Sequence, residues 1–205
     1  TYTPRVVGPI KVTINGGDMT NVFGGNDQAG IHTDLNEVYL NGGTINSVYG
    51  GGNKSSVSNT HVYEQGATVT NLYGGSNTSG SVTTTTVQVS SGTVGNIYGG
   101  NNEGGSCGTT NVTIAGSATI SSSVYGGGNQ ANVLGDATVL VGTSSANNVY
   151  GGGEAAHVEG STDVDILATV EQGEAEVLEI TLNEDFNEIF IKDFQFKKRI
   201  FRTQT

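Results

Sequence analysis

The residues able to do chemistry in this chain are few, and they do not converge. His32, His61 and His157 are its three histidines. A metal site or proton relay needs such side chains at matched, converging positions. These stand at unmatched places and are read as surface residues. Cys107 is the single cysteine, so no intrachain disulfide can form. The stretch GGGNKS (Gly50–Ser55) invites a phosphate-loop reading, but that motif needs Gly directly before the Lys and a helix after it. Asn53 stands there instead, and no helix pattern follows. Cleaving a glycosidic bond takes two carboxyls about 5–9 Å apart. Glu154 with Glu159 is the one plausible pair, and loop acids at that spacing are ordinarily just solvated. Glu159, Asp163 and Asp165 offer oxygens that Ca²⁺ could use, yet no Gly-Gly-x-Gly-x-Asp nonapeptide occurs. A Ser-His-Asp hydrolase finds no support. The expectation is a protein that is not an enzyme, with no cofactor and no metal.

Two groups have potential for binding. Tyr49, Tyr73, Tyr98, Tyr125 and Tyr150 recur in the segments VYGGGN, LYGGSN, IYGGN, VYGGGN and VYGGGE, with VFGGN at Phe23 as a first copy. A row of aromatics beside Asn and Ser suits sugar stacking or a protein interface. The plainer alternative is internal stacking that holds the chain together, and the sequence leaves open whether the row faces solvent or core. Threonines form the second group. An ice-binding face would need outward Thr ranks, but Thr60, Thr85 and Thr110 share the side of a valine column, and the outward neighbours Glu37, His61, Thr86, Asn111, Thr138 and Asp163 are mixed.

The elements that position these residues come from a repeat. Successive aromatics from Phe23 to Tyr150 are 26, 24, 25, 27 and 25 residues apart. Out of step with them runs a column of Val12, Val38, Val62, Val87, Val112, Val139 and Val164. Its neighbours two residues on are Ile14, Leu40, Val89, Ile114, Val141 and Ile166, with Glu64 as the exception. Alternation with period two marks a strand buried on one face. A third column holds Val57, Val82, Cys107, Val133 and Val158, so Cys107 occupies a valine slot and reads as a small core residue. A fourth holds Met19, Ile45, Val69, Val94, Ile120 and Ala146. Each unit thus carries three short strands separated by turns. One unit buries little alone, whereas stacked units share a continuous core. The predicted fold is all-β: a right-handed, single-stranded parallel β-helix of about six or seven coils. At about 4.8 Å per coil this extends roughly 30–35 Å.

In that frame Gly24, Gly50, Gly74, Gly99, Gly126 and Gly151 sit where the chain must turn and where bulk would clash, and glycine reaches positive φ without penalty. Asn26, Asn53 and Asn129 follow them. Asparagine tolerates the same conformation and can hydrogen-bond along a stack.

Composition agrees with a repeat array. With 33 glycines and no Trp in 205 residues, the chain is not an ordinary globule, and it lacks the strict collagen period. Charge is lopsided. Residues 1–153 hold seven acids and three bases, and residues 154–205 hold twelve acids and five bases. A body this poor in Lys and Arg argues against nucleic acid as a partner, and Lys197–Arg199 reads as a solvated basic run. No apolar run reaches the roughly 20 residues of a membrane span, so no insertion is expected. The opening TYTPRVV carries neither Met nor a signal peptide and reads as the start of a mature piece.

The V-x-[VI] strands, the Gly turns and the [VIL]-[YF]-G-G-[GNS] segments across Val12–Ile166 resemble the parallel β-helix repeats of bacterial surface adhesins and of phage fibres and tailspikes. The resemblance implies an extracellular, cell-surface or virion setting and a role in attachment. It supplies no catalytic residues. Residues 1–11, with Pro4 and Pro9, would blunt one edge, since Pro cannot extend a ladder. Residues 12–166 would form the coils. Residues 167–205 turn charged. There Leu178, Ile180 and Leu182 alternate, as do Ile189 with Ile191 and Phe194 with Phe196. Two further strands are expected, either as a cap over the stack or as a docking segment for self-association. The expected function is a non-enzymatic adhesin-like module that presents rigid faces to a glycan or a surface protein. The alternatives are a phage fibre module, homotrimeric in one version, and a polysaccharide-active enzyme.

Overall fold

The computed structural model describes residues 8–28, 30–142 and 144–167, and the backbone of residues 181–182 and 189–190. The described residues are all strand and turn. The strands are β1 (Ile10–Phe23), β2 (Ile31–Tyr49), β3 (Ser56–Tyr73), β4 (Ser81–Tyr98), β5 (Ser106–Ile114), β6 (Thr119–Tyr125), β7 (Ala137–Val141), β8 (Ser145–Tyr150) and β9 (Thr162–Ile166). Every pairing among them is parallel and joins a residue to its counterpart one repeat later. The result is a parallel β-solenoid of about six turns.

The repeat columns become vertical ladders. Val12, Val38, Val62, Val87, Val112, Val139 and Val164 pair in unbroken succession. With the Leu40, Ile45 and Val48 columns they make one core that runs the length of the stack, and most of its members are fully buried. Each such side chain contributes about 1.5–3 kcal/mol by leaving water. Val82, Cys107 and Val133 form a separate small cluster, with Val158 packed against it, so Cys107 occupies the valine slot that its position in the repeat indicates.

The strands differ from the expected three short pieces per coil. In the first four coils one continuous strand of 14–19 residues runs from the valine ladder past a bend and on to the aromatic. The bend falls at Gly17, Gly43, Gly66 and Gly92, all with positive φ. Pairing slips there, between Ile14 and Asp18 and again between Glu64 and Thr68. A bulge at a glycine turns the corner without ending the ladder, so hydrogen bonding continues around it. In later coils the same path divides into β5 with β6 and β7 with β8.

The chain separates into one unit of residues 1–169 and another of 170–205. In the second, Thr181–Leu182 (β10) pairs antiparallel with Ile189–Phe190 (β11). The rest of the expected C-terminal cap, and Pro4 in the N-terminal edge, lie outside the described residues.

Candidate functional site

Three successive aromatic–Gly–Gly segments are held by the same contact. Thr60, Thr85 and Thr110 are buried on the inner side of their strands. Their hydroxyls donate to the carbonyls of Gly74, Gly99 and Gly126 at 2.6, 2.5 and 2.6 Å. The glycines themselves are required for space. None of Gly24, Gly50, Gly74, Gly99, Gly126 and Gly151 has positive φ. A Cβ on any of the first five would instead fall closer than 3.0 Å to the carbonyl oxygen of the equivalent glycine one coil on. The turn expected from positive φ is made elsewhere, at the bend glycines, and the aromatic-flanking glycines serve close packing of backbone on backbone.

This close approach sets the spacing of the rings. Phe23, Tyr49, Tyr73, Tyr98, Tyr125 and Tyr150 stack in one column with centroids 4.8–5.0 Å apart and interplanar angles of 4–11°. Tyr49, Tyr73 and Tyr98 are buried, in a cluster of their own, separate from the main core. The middle of the column therefore faces neither open solvent nor the valine core. It is a second, aromatic core built on the other side of the strand. From Tyr49 to Tyr125 both faces of every ring carry a neighbouring ring, which leaves only edges for a ligand. Tyr150, at the end of the column, is 48% exposed. Tyr98 Oη donates to Glu154 Oε2 at 2.5 Å. Burial pushes the Tyr73 hydroxyl up to about 12, with the charges of Tyr49, Glu154 and Glu103 adding to it. Burial likewise raises Tyr49 and Tyr98. These are phenols held neutral, unsuited to proton transfer near pH 7.

Beside the rings runs a polar ladder. Asn53 Nδ2 donates to Asp27 Oδ1 at 2.7 Å, Asn77 to Asn53 at 3.0 Å, Asn102 to Asn77 at 2.8 Å and Asn129 to Asn102 at 2.8 Å. All donors point the same way along the axis, and Asp27 ends the series as a pure acceptor. The hydrogen bonds from Asn53 and Gln28 hold its carboxyl below the usual carboxylate range. Asn26 stands one place before this ladder, and its carbonyl accepts from the Asn53 amide at 3.0 Å. Asn101 is also buried beneath the turns. Its Oδ1 accepts from Ser76 N at 2.8 Å, and its Nδ2 donates to the carbonyls of Gly80 and Gly104.

The structure assembles a further cluster that belongs to no repeat column. Tyr39 and Tyr63 pair directly on β2 and β3, on the outer face opposite the buried valines. Their rings stack at 4.5 Å, His61 stacks on Tyr63 at 3.9 Å, and Lys11 Nζ lies 4.4 Å from the Tyr39 centroid. Tyr39 Oη donates to Glu37 Oε1 at 2.9 Å. That hydrogen bond, with burial and the Glu37 charge, raises the phenol to about 12. Burial lowers the His61 pKa, against the opposing pull of Gln88 and Glu37. The cluster is half-buried and presents a phenol edge, a carboxylate, an ammonium and an imidazole within three successive coils. The signal was present in the middle residue of Val38-Tyr39-Leu40 and Val62-Tyr63-Glu64, but it occurs in only two coils and so carries no period.

The other candidates are dispersed. Cys107 is fully buried, and burial pushes its thiol up to about 12, which removes the thiolate needed for reactivity. His32 is buried, its Nε2 2.5 Å from the Gly8 carbonyl oxygen. His157, Glu159, Asp163 and Asp165 are exposed. Among the described residues no three of His, Cys, Asp and Glu come together as a metal site would require. A rank of exposed hydroxyls does exist, away from Thr60, Thr85 and Thr110: Thr44, Thr68, Thr93, Thr119 and Ser145 pair in succession. A groove of about 360 Å³ opens beside its first member, lined by Asp18, Met19, Thr20, Thr44, Ile45, Asn46 and Thr70. Among the described residues no helix is long and apolar enough to cross a membrane. No known family model, no curated protein and no solved structure matches this chain.

Proposed function

We propose that the chain is a non-enzymatic structural repeat module of an extracellular, adhesin-like protein, a rigid stack of coils that carries an outer face toward a glycan or a surface protein. One observation carries the reading. The aromatic column, the buried Thr hydroxyls and the Asn ladder are engaged with other residues of the stack, the rings and Asn amides from coil to coil and the Thr hydroxyls within their own coil. Such a scaffold resists bending and holds any surface feature in fixed register. The feature best placed to meet a partner is the outer cluster of Lys11, Glu37, Tyr39, His61 and Tyr63, where aromatic edges sit among charges of both signs, a mixture common in polar interfaces.

The test is incubation of the immobilised chain with a broad panel of polysaccharides, glycans and cell-surface protein extracts, scored for retention and for product release together. The expected result is retention without products, weakened at least tenfold by Tyr63→Ala and unchanged by Thr113→Ala on the same outer face. Release of reducing ends or unsaturated sugars would overturn the non-enzymatic reading. Retention that survives both Tyr39→Ala and Tyr63→Ala would remove the outer cluster as the contact.

A further inference from the structure

Leu40, Glu64, Val89, Ile114 and Val141 form one inward ladder, and Glu64 is its one ionisable member. The side chain is wholly buried. Oε1 accepts from the amides of Gly66 at 2.9 Å and Ala67 at 2.5 Å, and so closes the bend Gln65–Ala67 that carries the strand round the corner. Oε2 is buried with no hydrogen-bond partner. One coil on, Gly92 leaves the space that the carboxyl occupies, since a Cβ there would collide with Oε1. The packing is therefore adapted to this carboxyl.

Among the described residues no cation is packed against it. Leu40 and Val89 lie on either side in the stack, and the bend contributes Ala67, all uncharged. His61 and Tyr63, on the same strand, and Glu37, on the preceding one, belong to the outer face. Among the described residues no charged group acts on the carboxyl. Its only helpers are the two bend amides, and burial outweighs them, raising it from 4.5 to about 7.

We infer that Glu64 is a proton-operated latch on the third coil. Protonated, it stays in the core and holds the bend closed. Ionised, it leaves the core for water and frees the two amides it held, opening the stack between Gln65 and Ala67. The folded-state pKa is raised, so the stabilisation is fully present below about 4.5 and is lost as pH rises through about 7. The module is then tighter in mildly acidic surroundings and looser above neutrality, and the loosening begins at one coil. A buried, uncompensated carboxyl is a costly group to keep in an apolar ladder whose equivalents are Leu, Val and Ile, and a switching role gives it a use.

Amide hydrogen exchange at Gly66 and Ala67, corrected for the intrinsic pH dependence of exchange, tests this. Wild-type protection is expected to fall on the order of 50- to 100-fold between pH 5 and pH 8. Glu64→Gln, which keeps the shape and cannot ionise, is expected to give a flat profile. A direct carbon-13 titration of the Glu64 carboxyl in the wild-type chain is independent of any variant's folding, and its midpoint is expected near neutrality. A midpoint in the range of exposed carboxylates, or the same pH profile in wild type and Glu64→Gln, would overturn the latch.

Discussion

Gly99→Ala is expected to destabilise the solenoid by about 3 kcal/mol or more. The added methyl meets the carbonyl oxygen of Gly126 in the next coil and the Cβ of Thr110. Both belong to elements that cannot yield separately, because the Gly126 carbonyl also accepts the Thr110 hydroxyl. Relief would require the two coils to part, with the loss of the backbone hydrogen bond from Gly99 N to the Tyr125 carbonyl at 2.9 Å, worth about 1 kcal/mol net, and of the ring contact beside it. The penalty is steric, since Gly99 does not have positive φ. Gly152 provides the contrast. It belongs to the same kind of aromatic–glycine segment, but a Cβ there meets nothing within 4 Å. Gly152→Ala is expected to stay within about 0.5 kcal/mol of wild type. Denaturant midpoints of the two variants check the pair. Equal effects would mean that the glycines matter for backbone freedom or not at all.

The second large effect is expected from Tyr73→Ala. The ring lies between Tyr49 and Tyr98 at 4.9 and 4.8 Å and is 6% exposed. Deleting a buried aromatic costs about 3–5 kcal/mol, and two stacked contacts of about 0.5–1.5 kcal/mol each are lost with it. Neighbouring rings cannot close the gap, because the backbone ladder fixes their spacing. A loss of about 4 kcal/mol is expected. Tyr150→Ala should cost about 1–2 kcal/mol, because among the described rings it stacks on Tyr125 alone and is half exposed. The gradient from column centre to column end separates the structural role from a ligand-binding one. A binding stripe would show the opposite pattern, with small stability effects everywhere and loss of retention on the panel.

These two predictions rest on features of unequal legibility. The coil count, the parallel stacking and the four apolar columns follow from period alone, because the positions that line the main core stay apolar in nearly every coil. The inward direction of Thr60, Thr85 and Thr110 follows from alternation, and Cys107 reads as core because it replaces valine. What the glycines do was only half legible. Sequence marks a residue that must lack a side chain, but positive φ and backbone proximity leave the same mark, and only the stacked geometry separates Gly66 from Gly99. The polar ladder was obscured by neighbouring choices. It occupies the fourth place after the aromatic, Asp27, Asn53, Asn77 and Asn102, while the third place varies among Asn, Gly and Ser. Asn26 and Asn53, which read as equivalents, fall in adjacent slots. The partly exposed Tyr39 and Tyr63 obey no period, because outer positions are free to vary. Glu64 was visible as an exception, but its meaning depends on complete burial and on the amides it meets, neither of which the column discloses.

The central claim is that the aromatic–Gly–Gly segments bind coil to coil as one cohesive stack. Amide hydrogen exchange of the wild-type chain, residue by residue, tests it most directly. Gly50, Gly74 and Gly99 donate to the carbonyls of Tyr73, Tyr98 and Tyr125 at 3.0, 2.8 and 2.9 Å. The three amides are expected to exchange together, in the slowest class of the molecule, with the free energy of global unfolding. Exchange of these amides at the rate of exposed turns, or at three unrelated rates, would contradict the account.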